Sequence, residues 1–316
     1  SWLWSDNNIS KETYSVLSLP GSQYIDNDPI VSYDYIHEFS VYSIHIAFDK
    51  VVISGSYELI SIDQLDTGEN IRCITGDFDW VYSIQMIYGV TPLIASAHRD
   101  CYIRLWDYFD IELEVPKIIL AGHAHAVVAI GVLQGANPIL ISASFDTTLS
   151  VWDVNAKIRT NILKNPKRAI RTLSILEHTN IKNSFIICGD DSGSIYVWSR
   201  SFIFLKKIPN TVTNQNDNEF PPIKSLTSSY WNDIPRAYVG YDDGYIRSYN
   251  VKTGEQLLCY QAHEQAVRSM VIVEIIEPPQ LIPKQTLNLT VPLSMDDSSH
   301  PLSQNESSSL LLPSSS

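Results

Sequence analysis

Histidine and aspartate are the residue types that move protons and hold metals, so a search for chemistry starts from their spacing. The chain has 8 histidines, and His123-x-His125 is the one close pair among them. His123 and Asp146 look, in a list of residues, like a base and its acid partner. The contexts that such chemistry needs are missing, however. The sequence has no GxSxG elbow, no Walker-type glycine loop, no HExxH and no CxxC pair. The glycine-bearing piece Gly189-Asp190-Asp191-Ser192-Gly193 lies between two strand-like runs rather than before a helix, and its two carboxylates would repel phosphate. It reads as a turn. Catalysis, a metal and a cofactor are therefore not expected.

The surrounding elements are strands. VYSIHIAF (41–48), VYSIQMIY (81–88), AVVAIGVL (126–133) and AIRTLSIL (169–176) are short runs rich in Val, Ile and Tyr, separated by polar turns. An internal repeat organises them. ASAHRDCYIRLWD (95–107), SASFDTTLSVWD (142–153), CGDDSGSIYVWS (188–199) and VGYDDGYIRSYN (239–250) each read as strand, tight turn and strand ending in an aromatic. The terminal aromatics Trp106, Trp152, Trp198 and Tyr249 follow at intervals of 46, 46 and 51 residues. A weaker copy, ISGSYELISID (53–63), precedes them, and the third repeat opens with Gly122-His123.

These residues resemble the WD40 family of β-propellers over roughly residues 35–275. The implied fold is all-β, a WD40-type β-propeller with five clear blades. QAHEQAVRSMVIVEII (261–276) reads as the opening of a sixth, and SWLWSD (1–6) with TYSVLSL (13–19) as pieces of a closing blade. A sixth or seventh blade is either closed by the two chain ends or incomplete. The propeller is expected over 1–277, followed by a Ser/Pro-rich flexible tail over 278–316. The tail's Asp296-Asp297-Ser298-Ser299 cluster reads as solvated.

The resemblance also assigns roles. In the best copy it places His123, Ser142, Asp146 and Trp152 in one buried hydrogen-bond chain that locks the blade. The His and Asp are then scaffold rather than catalysts. Ser96, Asp100 and Trp106 belong to the second copy's chain, with Asp77 where the His belongs. Asp243 is the turn acid of the fifth copy, Ser192 replaces it in the fourth, and the first keeps only Glu58 there and has no Trp. Those divergent blades are expected to rely on apolar packing.

Partner-binding positions on the propeller's top face come from the start of each inner strand and from the residue before the turn acid. By the resemblance these are Tyr42, Trp80, Tyr82, Val128, Arg171, Lys224 and Arg268, and Tyr57, Arg99, Phe145, Asp191 and Asp242. Aromatics and Arg, the usual interface anchors, predominate. The basic members point to an acidic or phosphorylated peptide.

Composition bounds the function. In 316 residues, 44% are hydrophobic and 18% charged, with a formal net charge of −13. Bulk nucleic acid and anionic membrane surfaces are disfavoured partners for such a surface. No apolar run reaches the length of a membrane helix. Cys73, Cys101, Cys188 and Cys259 sit in or beside apolar stretches, as reduced, buried thiols do, which favours an intracellular compartment, cytoplasmic or nuclear. The expected function is a non-enzymatic scaffold binding other proteins, as one subunit of a hetero-complex or one part of a longer chain. An RNA- or ribonucleoprotein-associated propeller and an enzyme with a site at the central channel are the alternatives.

Overall fold

The computed structural model describes residues 37–110, 115–210 and 220–272. The chain divides into two units, Ser1–Ile272 and Val273–Ser316. The second, and with it the expected tail, lies outside the described residues, as do the closing-blade pieces at 1–6 and 13–19.

Five four-stranded antiparallel sheets follow one another along the first unit. Blade one is β1 (Ser43–Ala47), β2 (Val51–Gly55), β3 (Leu59–Gln64) and β4 (Asn70–Thr75). Blade two is β5 (Val81–Ile87), β6 (Leu93–His98), β7 (Ile103–Asp107) and β8 (Ile118–Leu120). Blade three is β9 (Val127–Leu133), β10 (Ile139–Ser144), β11 (Leu149–Asp153) and β12 (Ile158–Leu163). Blade four is β13 (Ile170–Leu176), β14 (Phe185–Asp190), β15 (Ile195–Ser199) and β16 (Phe204–Ile208). Blade five is β17 (Ile223–Trp231), β18 (Ile234–Tyr241), β19 (Tyr245–Asn250) and β20 (Gln256–Gln261). Each sheet is a meander in which every strand pairs with its sequence neighbour, so two- to few-residue turns suffice.

A blade has two apolar faces and needs a neighbour on each. The second strands show why: LIASAH of β6 and FIICGD of β14 are buried at every residue. Four cores result, each shared by two consecutive blades. Ile53, Ile60 and Ile62 of blade one pack with Ile84, Met86 and Trp106 of blade two. Ala97 and Leu105 pack with Val127 and Trp152, Ala143 and Val151 with Ile170 and Trp198, and Ile187 and Val197 with Ile223 and Tyr249. The outer strands end the burial: β20 is exposed throughout and β12 is exposed except for Leu163.

One small residue near the end of each second strand sets the distance between blades. A Cβ on Gly55 would lie 2.6 Å from Val81, and one on Gly189 2.8 Å from Ile223, the first residues of the next inner strands. Gly240 repeats the arrangement, with Val267 at 2.6 Å. Val267 donates its amide to the Tyr241 carbonyl (3.0 Å), and its carbonyl accepts from the Ser225 hydroxyl (2.7 Å). Val267 is thus seated on blade five as Val81 is on blade one. Gln261 itself belongs to β20, and among the described residues no strand follows it, so the sixth-blade opening expected over 261–276 is not formed over 262–272.

The cysteines correct another expectation. All four are free and Cys188 is buried, but Cys73 and Cys259 are exposed and Cys101 is half-buried. Cys73 and Cys259 lie on the outer strands β4 and β20; all of β20 faces solvent, and in β4 Cys73 points away from the core that its neighbour Ile74 enters. Among the described residues no helix is long and apolar enough to cross a membrane.

Candidate functional site

The inner strands contain the device that builds the site. In β5, Val81 pairs with His98 and Ser83 with Ala97, which leaves Tyr82 out of the ladder. The same skip occurs at Val128 in β9, Arg171 in β13 and Lys224 in β17. A β-bulge of this kind re-aims the extra side chain. Beside each bulge, the residue before the turn donates its amide to the strand entry of its own blade: Arg99 to Trp80 (3.0 Å), Phe145 to Ala126 (3.1 Å), Asp191 to Ala169 (3.0 Å) and Asp242 to Pro222 (3.0 Å). Backbone pairing therefore gathers the bulged and pre-turn side chains of each blade at one end of its sheet.

On blades one and two these positions form an aromatic cluster. Trp80 lies 5.2 Å from Tyr42 and 5.2 Å from Tyr57, centroid to centroid, and Tyr42 lies 5.5 Å from Tyr82. Phe39, which the sequence pattern does not single out, joins at 5.3 Å from Tyr57 and 5.8 Å from Trp80. Tyr42 and Phe39 are 55% and 50% exposed, so the cluster presents rings to solvent instead of burying them. Edge-to-face contacts hold the rings in place. Asp79 accepts from the Trp80 amide (2.8 Å) and faces Arg99 at 4.0 Å. A hydrogen bond to the Glu58 carboxylate, with that carboxylate's charge, raises the Tyr57 phenol above its usual range.

Farther round, the cations are already engaged. Arg171 forms a two-pronged pair with Asp191 (2.6 and 3.0 Å) and lies 4.4 Å over the Phe145 ring. Lys224 faces Asp242 at 3.2 Å. Arg268 is exposed beyond Val267. Two of the basic residues expected to receive an acidic or phosphorylated ligand, Arg171 and Lys224, are thus already paired with the pre-turn carboxylates of blades four and five.

The polar chain of blade three lies beneath the turn. The Trp152 indole N–H donates to Ser142 Oγ (2.8 Å), Ser142 Oγ lies 2.7 Å from His123 Nε2, and His123 Nδ1 lies 2.8 Å from Asp146 Oδ2. With the imidazole proton on Nδ1, every donor and acceptor in that series is used. Burial alone would raise the Asp146 carboxyl. Hydrogen bonds from His123, Thr148 and the Ala124 amide outweigh it and hold the group well below the usual carboxylate range. The WD domain, G-beta repeat family model matches residues 68–107 and 114–153, the first covering β4 to β7 and the second β8 to β11. The chain is a WD40-repeat protein. No curated protein matches it.

The other WD40 repeats lock themselves differently. In blade two the Trp106 indole donates to Ser96 Oγ (2.8 Å), but the imidazole on Ser96 is His98, from the strand itself (2.7 Å). Asp100 is not in that chain; it pairs with Arg104 at 2.6 Å. In blade one His37 lies 2.7 Å from Ser54 and 2.6 Å from Ser56, and Asp63 stands at the register of the missing Trp, accepting from Ser61 and Asn70. In blade four the buried Asp190 accepts from the Ser192 and Ser194 amides across the turn. In blade five Asp243 pairs with Arg247 at 2.7 Å, and the hydroxyls of Tyr241 and Tyr249 meet at 3.2 Å. The divergent repeats thus replace the polar chain with other polar contacts rather than with apolar packing alone. Among the described residues no group of three or more His, Cys, Asp or Glu side chains is placed to hold a metal ion.

His98 makes blade two acid-sensitive. Burial, with the nearby Arg104 charge, pulls its pKa down to about 3, against the opposing influence of Asp100. Unfolded, the imidazole titrates near 6.5, so the unfolded chain alone takes up this proton as pH falls below that value. The contribution is fully present above about pH 6.5 and is lost at about 1.4 kcal/mol per pH unit on the way down toward pH 3. Between about pH 7.5 and about pH 5 the wild type should therefore lose roughly 4 °C more in melting temperature than His98→Gln. Equal losses in the two proteins would refute the assignment.

Proposed function

We propose that this WD40-repeat protein is a non-enzymatic interaction scaffold that holds a protein or peptide partner on the bulged end of its blades. The observation that carries the reading is the cluster of Phe39, Tyr42, Tyr57, Trp80 and Tyr82, rigid aromatics left half in solvent by edge-to-face contacts. Exposed, pre-organised aromatics are the composition of an interface anchor, because they bury large area at little entropic cost. Arg99 flanks the cluster, and Phe145 with Arg171 makes a second, smaller platform. The net charge of −13 and the pairing of Arg171 and Lys224 with carboxylates weigh against an RNA-binding role. Free cysteines at exposed positions suit a reducing, intracellular setting.

Affinity purification of the full chain from its source, wild type beside Trp80→Ala, tests the proposal. Trp80 is an anchor if stoichiometric partners co-purify with the wild type and fall at least about tenfold in the variant, the loss typical of a hot-spot aromatic. Partners that stay bound to Trp80→Ala would move the interface elsewhere. A wild type that purifies alone would remove the scaffold reading.

A further inference from the structure

We infer that the aromatic anchor of blades one and two receives a cationic side chain, a lysine or arginine of a basic partner segment. The inference rests on the scaffold reading above and names the chemistry of its ligand. A pocket of about 240 Å³ opens beside the cluster, lined by Phe39 and Tyr57 together with Glu38, Glu58, Ser56 and Thr75. Both glutamates are exposed, and among the described residues neither is in an ion pair. A third carboxylate, Asp79, stands next to Trp80, and the cation beside it, Arg99, is turned to that acid at 4.0 Å.

The charge pattern of the whole end of the blades agrees. On blades four and five the basic residues each face an acid of their own blade, Arg171 with Asp191 and Lys224 with Asp242, as Arg99 of blade two faces Asp79. Where aromatics occur, on blades one and two, Glu38 and Glu58 lack such a partner. Aromatic faces attract cations through the ring quadrupole, and unpaired carboxylates at the rim add a direct Coulomb attraction and steer a basic segment inward. An acidic or phosphorylated segment would meet repulsion there. An uncharged apolar segment would bury the rings but leave the charges of both glutamates without a counter-ion.

The full chain, displayed against a random peptide library, tests this by the composition of what it selects. Binders should be enriched in Lys and Arg. Their affinity should fall about tenfold in Trp80→Ala and about fivefold in Glu38→Gln/Glu58→Gln, a pair of exposed isosteric changes that leaves the packing intact. Binders that depend on Trp80 but are neutral or acidic in composition, or that ignore the glutamate changes, overturn the cationic assignment while the anchor stands. Binders that are indifferent to Trp80 overturn both.

Discussion

Replacing Asp243 with Ala is expected to destabilise the protein by about 3–5 kcal/mol, because it strands a buried cation. The Arg247 side chain is 1% exposed, lies 2.7 Å from Asp243 and is stacked 4.3 Å from the Tyr241 ring. Its guanidinium cannot shed its proton and cannot reach water without breaking β19. The loss corresponds to roughly 6–10 °C in melting temperature. Exchanging both partners, as Asp243→Leu/Arg247→Met, should recover most of it, since an apolar pair carries no desolvation cost. Thermal unfolding of the three proteins decides the matter. A single variant as stable as wild type, or a double variant no better than the single, would show that the pair does not lock blade five.

Ser142→Ala should cost about 2–4 kcal/mol by a different route. One hydroxyl joins Trp152 to His123, and its removal orphans an indole N–H and an imidazole nitrogen in a blade where both side chains are buried. Ser150 supplies the control. It pairs with Ser142 across β10 and β11 and is fully buried, yet its hydroxyl has no hydrogen-bond partner among the described residues. Ser150→Ala should therefore shift stability by less than about 1 kcal/mol, in either direction. Urea denaturation that ranks the two alanine variants equally would remove the special role of the chain.

The five blades were legible because their signal is local. A β-branched run, a polar turn and a closing aromatic at Trp106, Trp152, Trp198 and Tyr249 mark three of the four strands of each repeat. The bulged positions were legible for the same reason, since Tyr82, Arg171 and Lys224 each follow the strand entry at Trp80, Ala169 and Pro222 by two residues. The substitutes for the polar chain were harder to see. His37 precedes Ser54 by 17 residues, but the pattern is anchored on a terminal Trp and blade one has Asp63 in its place. His98 reads as one more strand residue. A signal for blades two and five was present and unused: Asp100 and Arg104, like Asp243 and Arg247, are four residues apart across a tight turn. The electrostatics of the anchor were not legible at all. Arg171 and Lys224 count as basic in any list, and only the geometry shows their charges spent on Asp191 and Asp242.

The diversity of the locks bears on how the chain finds its fold. Tandem repeats of similar strands can exchange partners during folding, and a hairpin borrowed from the wrong repeat is a characteristic trap. Here the residue that directly follows the small residue near the end of the second strand is Ser56, His98, Ser144, Asp190 or Tyr241, depending on the blade. If β18 took the place of β6, Tyr241 would stand opposite Val81 where His98 belongs, and the Trp106 indole N–H would face Val239 instead of the Ser96 hydroxyl. An exchange of this kind leaves a buried polar group without its mate, which places the misassembled chain uphill. Sequence drift away from the consensus thereby gives each blade an address.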